Sequence, residues 1–429
     1  MLPPIVSLRH SALTFAGALA LALPLAGPAA AEYDLPSTVA LTAYDTGSTG
    51  FNQMIAIGGA FKEQAGVSLR VLPGKNDIAR AAPLRQGRVP FSAFGVGHYM
   101  MQEGVFDFAG EDWGPQPVRM LMTNFAGKLG QAIAVTKSSG IETYEDLRGK
   151  RVAYIKGSPA LNVNTESYLA YADLTWDDVE KVEFGGYADS LTGMINGTTD
   201  AAFASMTAGG AYQIESSPEG LHWPAVDPAN AEGVARMKEV APYMRTMTAT
   251  EGAVAETTEG GIPTAGYPYP AMIAMADADA DLVYNFTKAM YETFPAYQGK
   301  APGIDGWALE QQSLEWVVPY HEGAIRYYEE VGAWTEAAQA NNERMIERQQ
   351  VLMDAWAELK AGLHAFARVS VRRDADGRLH VLPAGAQGSH VAHSLALADG
   401  LAHLPADWDA AWSEARRKAL KDAGFKLVF

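Results

Sequence analysis

The alternation of short β-rich runs with helix-patterned runs constrains the fold of this chain more than any other feature. From Val39 onward the order is strand, helix, strand, helix, strand, in the runs TVALTAY, NQMIAIGGAFKEQA, VSLRVLPG, DIARAAPLRQG and VPFSAFGVG. This order is typical of a parallel α/β layer, because each helix carries the chain back to the start of the next strand. The sequence therefore predicts an α/β fold.

A second cycle of the same kind follows the first. TYEDLRGK predicts a short helix that stops at Gly149, and RVAYIKGS, LNVNTESYLAYADL, VEKVEFGG, YADSLTGMING and AAFASM continue the strand and helix alternation. Two such layers in 429 residues predict two lobes. The segment from Pro224 to Gly266 is rich in Pro, Gly and Thr and predicts a loop with one helix. From Met272 a strand and a long helix are expected to return the chain to the first lobe.

The chain beyond Trp334 predicts an extension. AWTEAAQANNERMIERQQVLMDAWAELKAGL has the apolar spacing of one long helix. ARVSVRRDADGRLHVLPAG then resembles a hairpin with its turn near Asp376 and Gly377. The predicted domains are therefore a signal peptide at 1–31, a first lobe at 32–128 with 270–333, a second lobe at 129–269, and an extension of unknown role at 334–429.

The first 31 residues resemble a cleaved secretory signal peptide. Arg9 and His10 precede the apolar run SALTFAGALALALPLAG, which ends in Ala29-Ala30-Ala31. A membrane anchor is the alternative, but this apolar core is short and contains Pro24. We therefore expect a periplasmic protein with no stable membrane insertion of its mature form.

Composition narrows the function classes further. The chain has no cysteine, which excludes disulfides, a thiolate nucleophile and Cys-ligated zinc. Its formal net charge of −17 argues against nucleic acid or anionic lipid as a partner. Five of the nine histidines lie in the tail without nearby carboxylates, so surface histidines are favoured over a metal site. They are His364, His380, His390, His393 and His403.

Three polar turns stand where strands end and helices begin, namely DTGSTGF, GKNDIAR and KGSPALNVN. Each would aim free helix N–H groups into the crevice at the carboxyl edge of a sheet, which predicts an anion site. Helix N-capping is the alternative role for Ser48 and Thr49. No Gly-x-Ser-x-Gly elbow, H-E-x-x-H motif or P-loop is present, which argues against an enzyme, and no cofactor or metal is predicted. His98 is expected to be a hydrogen-bonded loop histidine, and His321 to fix the helix after it.

The order of these motifs resembles the TAXI subfamily of extracytoplasmic solute receptors, which serve TRAP-class transporters. The resemblance runs from about Val39 to Trp334, and DLRGKRV and the closing segment PYHEGAIRYYEEVGAW are its most specific parts. TGSTGF, PGKNDIARAAPLRQGRVPFSAFG, SLTGMINGTTDAAF and GIPTAGYPYPAMIAM also belong to it. The resemblance implies a two-lobed, periplasmic-binding-protein-like clamshell of type II, with ligands that are glutamate-like or dicarboxylic.

The resemblance also implies which residues contact the ligand. The turn after the first strand would supply donors to a carboxylate, the second lobe would do the same, and Tyr267 would reach into the cleft. In GKNDIAR, where the family often has a Gly-Ser-x-x-Asn turn, Arg80 could pair with a carboxylate and Asp77 could receive an amine or cap its helix. The predicted ligand-binding residues are Thr46, Gly47, Ser48, Thr49, Gly50, Phe51, Asn76, Asp77, Arg80, Ser158, Asn162, Asn164, Thr207 and Tyr267.

The sequence thus predicts a receptor that binds a small organic acid between two lobes and delivers it to the membrane subunits of a TRAP transporter. Two alternatives remain from other classes. One is an exported enzyme that acts on a small carboxylate in the same cleft. The other is a ligand sensor that docks on a signalling protein.

Overall fold

The computed structural model describes residues 33–125, 127–362, 366–373, 379–383 and 400–403. The predicted signal peptide and the predicted turn at Asp376 and Gly377 lie outside these residues. Among the described residues, no helix combines the length and the apolar character needed to cross a membrane.

The strands of the described chain are short, and most lie in two sheets. They are β1 Thr38–Tyr44, β2 Ser68–Gly74, β3 Phe91–Phe94, β4 Val118–Thr123, β5 Gln131–Thr136, β6 Arg151–Ile155, β7 Glu180–Phe184, β8 Ala201–Ser205, β9 Leu221–His222, β10 Arg245–Ala249, β11 Ile262–Gly266, β12 Ala271–Met275, β13 Phe366–Arg373, β14 Leu379–Pro383 and β15 Gly400–His403.

The α-helices alternate with these strands over most of the chain. They are α1 Thr49–Ala65, α2 Asp77–Arg85, α3 Gly97–Glu103, α4 Pro159–Tyr171, α5 Tyr187–Ile195, α6 Gly209–Ser216, α7 Ala231–Val240, α8 Ala280–Glu292, α9 Phe294–Tyr297, α10 Glu322–Glu330 and α11 Glu336–Gly362.

The first lobe is built on a five-stranded sheet of order β2-β1-β3-β12-β4. β1 pairs in parallel with β2 and β3, whereas β12 is antiparallel to β3 and β4. The second lobe has the five-stranded order β7-β6-β8-β5-β9, in which β6 is parallel to β7 and β8, and β5 is antiparallel to β8. The α/β class is confirmed, and each sheet is mixed because one strand enters it from the other lobe.

Two chain crossings join the lobes, one between β4 and β5 and the other between β11 and β12. The crossings are hydrogen-bonded to each other, because Asn124 N donates to Pro270 O at 2.9 Å and Tyr269 N donates to Asn124 O at 2.8 Å. β10 and β11 form a separate antiparallel pair where the sequence predicted a loop. The predicted helix of that segment is present as α7.

Helix α1 shows how the local sequence orients the first polar turn. Ser48 is its N-cap and accepts a hydrogen bond from Phe51 N, and Gly66 ends it in the left-handed conformation at φ 69°. Met54, Ile57 and Phe61 are fully buried on the face that packs against the sheet. Burial of each such side chain stabilises the fold by about 1.5–3 kcal/mol, which holds the N-terminus of α1 at the sheet edge.

The predicted long helix is α11, and it packs against the first lobe. Arg348 binds the carboxylate of Glu103 through two nitrogens, at 3.0 and 2.5 Å. Asn342 accepts a hydrogen bond from the main chain of Tyr320 at 2.6 Å. Beyond α11, β13 pairs antiparallel with β14 and with β15.

Candidate ligand-binding site

A cavity of about 30 Å³ lies between the two five-stranded sheets. The first lobe, the second lobe and one of the two crossings all contribute to its wall. The lining residues are Tyr44, Asp77, Arg80 and Gly95 from the first lobe, Gln131, Ala160, Leu161, Tyr187, Phe203 and Ser205 from the second, and Tyr267 and Tyr269 from the crossing.

Arg80 supplies the positive charge of this wall. It is 1% exposed, and its guanidinium lies between the rings of Tyr44 and Phe94, at 3.9 and 4.0 Å from their centroids. One terminal nitrogen donates to Ala93 O at 3.1 Å and the other to Asp77 at 2.5 Å. The third nitrogen, Nε, is buried and has no hydrogen-bond partner in the part of the chain that the structure describes. Arg80 Nε–H is therefore available to donate to a ligand.

Asp77 supplies the negative charge and also joins the two lobes. It is the first residue of α2 and is fully buried. One carboxylate oxygen accepts from Arg80, and the other accepts from Ala160 N, at the start of α4 in the second lobe, at 3.0 Å. Burial raises the pKa of Asp77, and the charge of Arg80 opposes that rise. The carboxylate is thus engaged on both oxygens.

Gln131 reaches the cavity from the second lobe. It is the first residue of β5, is 1% exposed, and pairs through its main chain with Ser205 of β8. Both polar atoms of its side chain, Oε1 and Nε2, are buried without a hydrogen-bond partner among the described residues. Buried amide groups are nearly always paired, so this side chain requires an explanation.

Four tyrosines give the cavity its aromatic character, namely Tyr44, Tyr187, Tyr267 and Tyr269. Tyr44 and Tyr187 approach from opposite lobes with their centroids 5.2 Å apart, and Tyr267 and Tyr269 meet edge to face at 6.3 Å. Burial raises the pKa of all four hydroxyls, which keeps them protonated and able to donate. The Tyr267 hydroxyl accepts a hydrogen bond from Asn164 at 3.0 Å.

The first polar turn meets the second lobe directly. Gly47, at φ 83°, accepts from Gly209 N at 2.9 Å through its main-chain oxygen. The Thr49 hydroxyl lies 2.9 Å from that of Ser205 and 2.8 Å from that of Thr207. Ser48 caps α1, as the capping alternative predicted. A Cβ on Gly50 would lie 3.2 Å from the Tyr269 hydroxyl, so this turn also packs closely on the crossing.

Four further predicted residues are not part of the cavity lining. Asn76 caps α2 through Ala79 N and donates to Lys156 O in the second lobe at 3.1 Å. Ser158 lies 2.5 Å from the Tyr44 hydroxyl, and Asn164 bonds Tyr243 and Tyr267. The Asn162 side chain accepts a hydrogen bond from Ile155 N and donates one to Ile155 O. It therefore stabilises the turn between β6 and α4.

The lobes are therefore joined across the cleft by many direct hydrogen bonds, which connect both polar turns of the first lobe to helix starts of the second. The bonded pairs are Tyr44 with Ser158, Asp45 with Ala188, Gly47 with Gly209, Thr49 with Ser205 and Thr207, Lys75 with Tyr187, Asn76 with Lys156, Asp77 with Ala160 and Ile78 with Gly157.

Of the predicted ligand-binding residues, Asp77, Arg80 and Tyr267 line the cavity. Thr46, Phe51 and the other predicted residues are not among its lining residues, and ligand binding by any residue of the predicted set stays a prediction. Gln131, Tyr44 and Tyr187 were missed. The sequence did contain a sign of Gln131, because it is the polar first residue of the otherwise mostly apolar strand QAIAVT.

The histidines of the described chain lie outside this cavity. His98 lies in α3, not in the predicted loop, and is fully buried. Its ring is hydrogen-bonded as expected, because Nδ1 lies 2.6 Å from Gly95 O and Nε2 accepts from Trp316 at 2.9 Å. His321 caps α10 by accepting from Gly323 N, as predicted. Within the described residues no group of His, Asp and Glu side chains has a metal-binding arrangement. The side chains of the five tail histidines lie outside the described part of the chain.

Comparison with protein families gives two matches. The model of the NMT1-like family matches residues 101–332, which is more than half of the chain. The model of the MoeA C-terminal region (domain IV) matches residues 351–410, which include the end of α11 and the strands β13 to β15. No curated protein matches the chain.

Solved structures with a similar course of the chain include three binding proteins. A mutant of ArgBP from T. maritima is 15% identical over 63% of this chain and 95% of its own, with a TM-score of 0.39. The substrate binding protein of an amino acid ABC transporter is 15% identical over 63% and 98%, with a TM-score of 0.37. The alkanesulfonate-binding protein SsuA from Xanthomonas axonopodis pv. citri, bound to MOPS, is 14% identical over 76% and 93%, with a TM-score of 0.40. These likenesses are distant, so the ligand chemistry rests on the residues of the cavity.

Proposed function

The chain belongs to the NMT1-like family, and we propose that it is an extracytoplasmic, non-enzymatic receptor that binds a small organic acid between its lobes. The observation that carries the proposal is the interlobe cavity in which buried Arg80 keeps an unpaired Nε. A ligand carboxylate that accepts this bond is stripped of water, so the charge-assisted hydrogen bond is stronger there than at the surface.

The bound acid is expected to stabilise the closed arrangement of the lobes. Residues of both lobes line the cavity, and a ligand that contacts both binds the closed form in preference to an open one. The turn at Thr46 to Phe51 and the start of α4 supply further donors near the carboxylate in this proposal. Glutamate-like and dicarboxylic acids, the classes that the TAXI resemblance implies, are the first to test.

Delivery to the membrane subunits of a TRAP-type transporter is the second part of the proposal. It is supported by the resemblance of DLRGKRV and PYHEGAIRYYEEVGAW to the TAXI subfamily and by the signal-peptide pattern before Glu32. Within this proposal, residues 32–128 with 270–333 form one lobe, residues 129–269 form the other, and the clamshell works in the periplasm.

Native mass spectrometry of freshly purified protein tests the binding step, and we expect one retained small acid per chain. Calorimetric titration of that acid into Arg80→Leu tests the site. Truncation of one member of a buried charge pair costs about 2–5 kcal/mol, so binding should weaken by at least about thirtyfold. Arg85→Leu is the matched control, because Arg85 lies on the same helix but stacks on Trp113, outside the cavity lining.

Arg80→Leu is also expected to lower the stability of the protein, because it leaves the buried Asp77 carboxylate without its cation. The double variant Asp77→Asn with Arg80→Leu should recover much of that stability and still bind weakly. Equal affinity of wild type and Arg80→Leu would contradict the proposed site and move the carboxylate to the turn at Thr46 to Phe51.

A further inference from the structure

The unpaired amide of Gln131 is the strongest feature of the molecule that an anion site does not explain. Arg80 Nε can be paired by a carboxylate alone. Gln131 presents an acceptor, Oε1, beside a donor, Nε2, and both lack a partner in the same cavity. A carboxylate has no proton to donate, so it could pair Nε2 but would leave Oε1 buried and unpaired.

The charged residues of the cavity wall also argue against a ligand with two carboxylates. Asp77 and Arg80 are the charged residues among the lining, and they form an ion pair of 2.5 Å. Their formal charges cancel, so one ligand carboxylate on Arg80 already gives the cavity a net negative charge, and a second would add to it with no further cation among the lining residues. An uncompensated charge in a buried site is far more costly than a hydrogen-bonded neutral group.

We propose that Gln131 determines specificity by pairing an uncharged donor–acceptor group, such as a carboxamide, so that the preferred ligand has one carboxylate and one neutral polar end. This inference rests on the proposed function and narrows its ligand class. A site built to hydrogen-bond a donor rejects an analogue that lacks the donor much more strongly than an apolar site does.

The cavity also restricts ligand size. Its volume of about 30 Å³ is well below the 150 Å³ or so that admits a benzene molecule. A space of this volume holds about one water molecule, so the lobes must settle further apart around any organic acid. Acids of two to four carbons require the least separation of the lobes and are therefore the appropriate probes.

The stability of Gln131→Met provides a test that needs no ligand. Methionine has a similar shape and removes the two unpaired polar atoms, so this variant should melt about 2–6 °C higher than wild type. Gln116→Met is the matched control. The Gln116 amide is buried but donates to Trp113 O and Gly114 O, so its loss should lower the melting temperature.

The binding test compares three matched pairs of acids by calorimetry, namely oxamate with oxalate, malonamate with malonate, and succinamate with succinate. Wild type and Gln116→Met should bind at least one monoamide about tenfold or more tighter than its dicarboxylate. Gln131→Met should lose that preference while it stays folded.

The other outcomes contradict the inference, and they show whether the proposed receptor function fails with it. Equal or tighter binding of the dicarboxylates, or a preference that survives in Gln131→Met, overturns the role of Gln131 and leaves the receptor assignment intact. If no probe binds but mass spectrometry finds a retained acid without a neutral polar end, the inference also fails alone. If no probe binds and no acid is retained, the proposed function fails with it.

Discussion

At the scale of single residues, the burial of His98 makes the stability of the protein depend on pH. Its ring is fully buried, donates from Nδ1 to Gly95 O and accepts at Nε2 from Trp316, which fixes the neutral form. Burial lowers the pKa of His98 to about 4. In the unfolded chain the imidazole has a pKa of about 6.5, so between these values only the unfolded state takes up the proton.

The stability of the protein should therefore fall as the pH drops from about 6.5 to 4, and be unaffected by this group above 6.5. A difference of about 2.5 pKa units corresponds to about 3 kcal/mol. In His98→Gln, urea unfolding at pH 7 and pH 4.5 should show a smaller loss of stability than in wild type, because glutamine does not titrate. His222→Gln, which changes a partly exposed histidine of the second lobe, is the control. Parallel losses in wild type and His98→Gln would contradict the assignment.

Single residues also show how much of the candidate site could be predicted from the sequence. GKNDIAR predicted Asp77 and Arg80 as cleft residues, and both line the cavity, while their contact with a ligand stays a prediction. Asn162 was indistinguishable from a ligand residue, since its contacts with Ile155 depend on how the turn folds back. Gln131 was missed because the tertiary packing around a side-chain amide decides whether it finds a partner, and the run QAIAVT does not show that packing.

At the scale of elements, α11, which the sequence placed in an extension of unknown role, packs against the first lobe. Its buried face includes Ala338, Gln349 and Leu352, and Arg348 holds Glu103, which is 7% exposed. Gln349 donates to the side chain of Gln102 and to the main chain of Gln116 and Val118. The apolar spacing predicted the helix, but a helix with a narrow buried stripe does not reveal which surface it covers.

Two truncations separate α11 from the chain that follows it. Truncation after Gly362 removes β13 to β15 and should leave the melting temperature and ligand binding unchanged, because the described contacts of α11 with the first lobe remain. Truncation after Trp334 removes the partner of Glu103 as well, and loss of one member of a buried pair alone costs about 3–5 kcal/mol. We expect that protein to be strongly destabilised in thermal unfolding. Similar stability of the two truncated proteins would contradict a structural role of α11.

The sheets show which parts of the fold follow from the sequence. The parallel neighbours β1, β2 and β3 were predicted from the alternation of strands and helices. The antiparallel pair β10 and β11 was missed, because RTMTA and IPTAG are short and contain Thr, Gly and Pro instead of an apolar alternation. Their pairing is fixed by tertiary context more than by strand propensity.

At the scale of the whole molecule, the account depends on two lobes that separate to admit a ligand and close around it. The crossings near Asn124 and Tyr269 are the covalent links between the two sheets in the described chain, and the direct hydrogen bonds across the cleft oppose opening. Each of those bonds contributes only about 0.5–1.5 kcal/mol net, so opening and closing remain in reach of a ligand's binding energy.

A disulfide across the cleft tests this central claim most directly. Lys75 of the first lobe faces Gly186 of the second, and a Cβ on Gly186 would lie 3.1 Å from that of Lys75, slightly closer than the range of about 3.5–4.5 Å in disulfides. Neither residue lines the cavity, and the chain has no cysteine of its own, so Lys75→Cys with Gly186→Cys creates a single possible bridge.

The measurement is calorimetric titration of the tightest-binding acid into this double variant, oxidised without ligand and then reduced with dithiothreitol. We predict that the oxidised protein binds no acid, because its lobes cannot separate, and that reduction restores an affinity close to that of wild type. Binding of equal strength in the oxidised and reduced forms would show that the acid does not enter between the lobes, which would contradict the account.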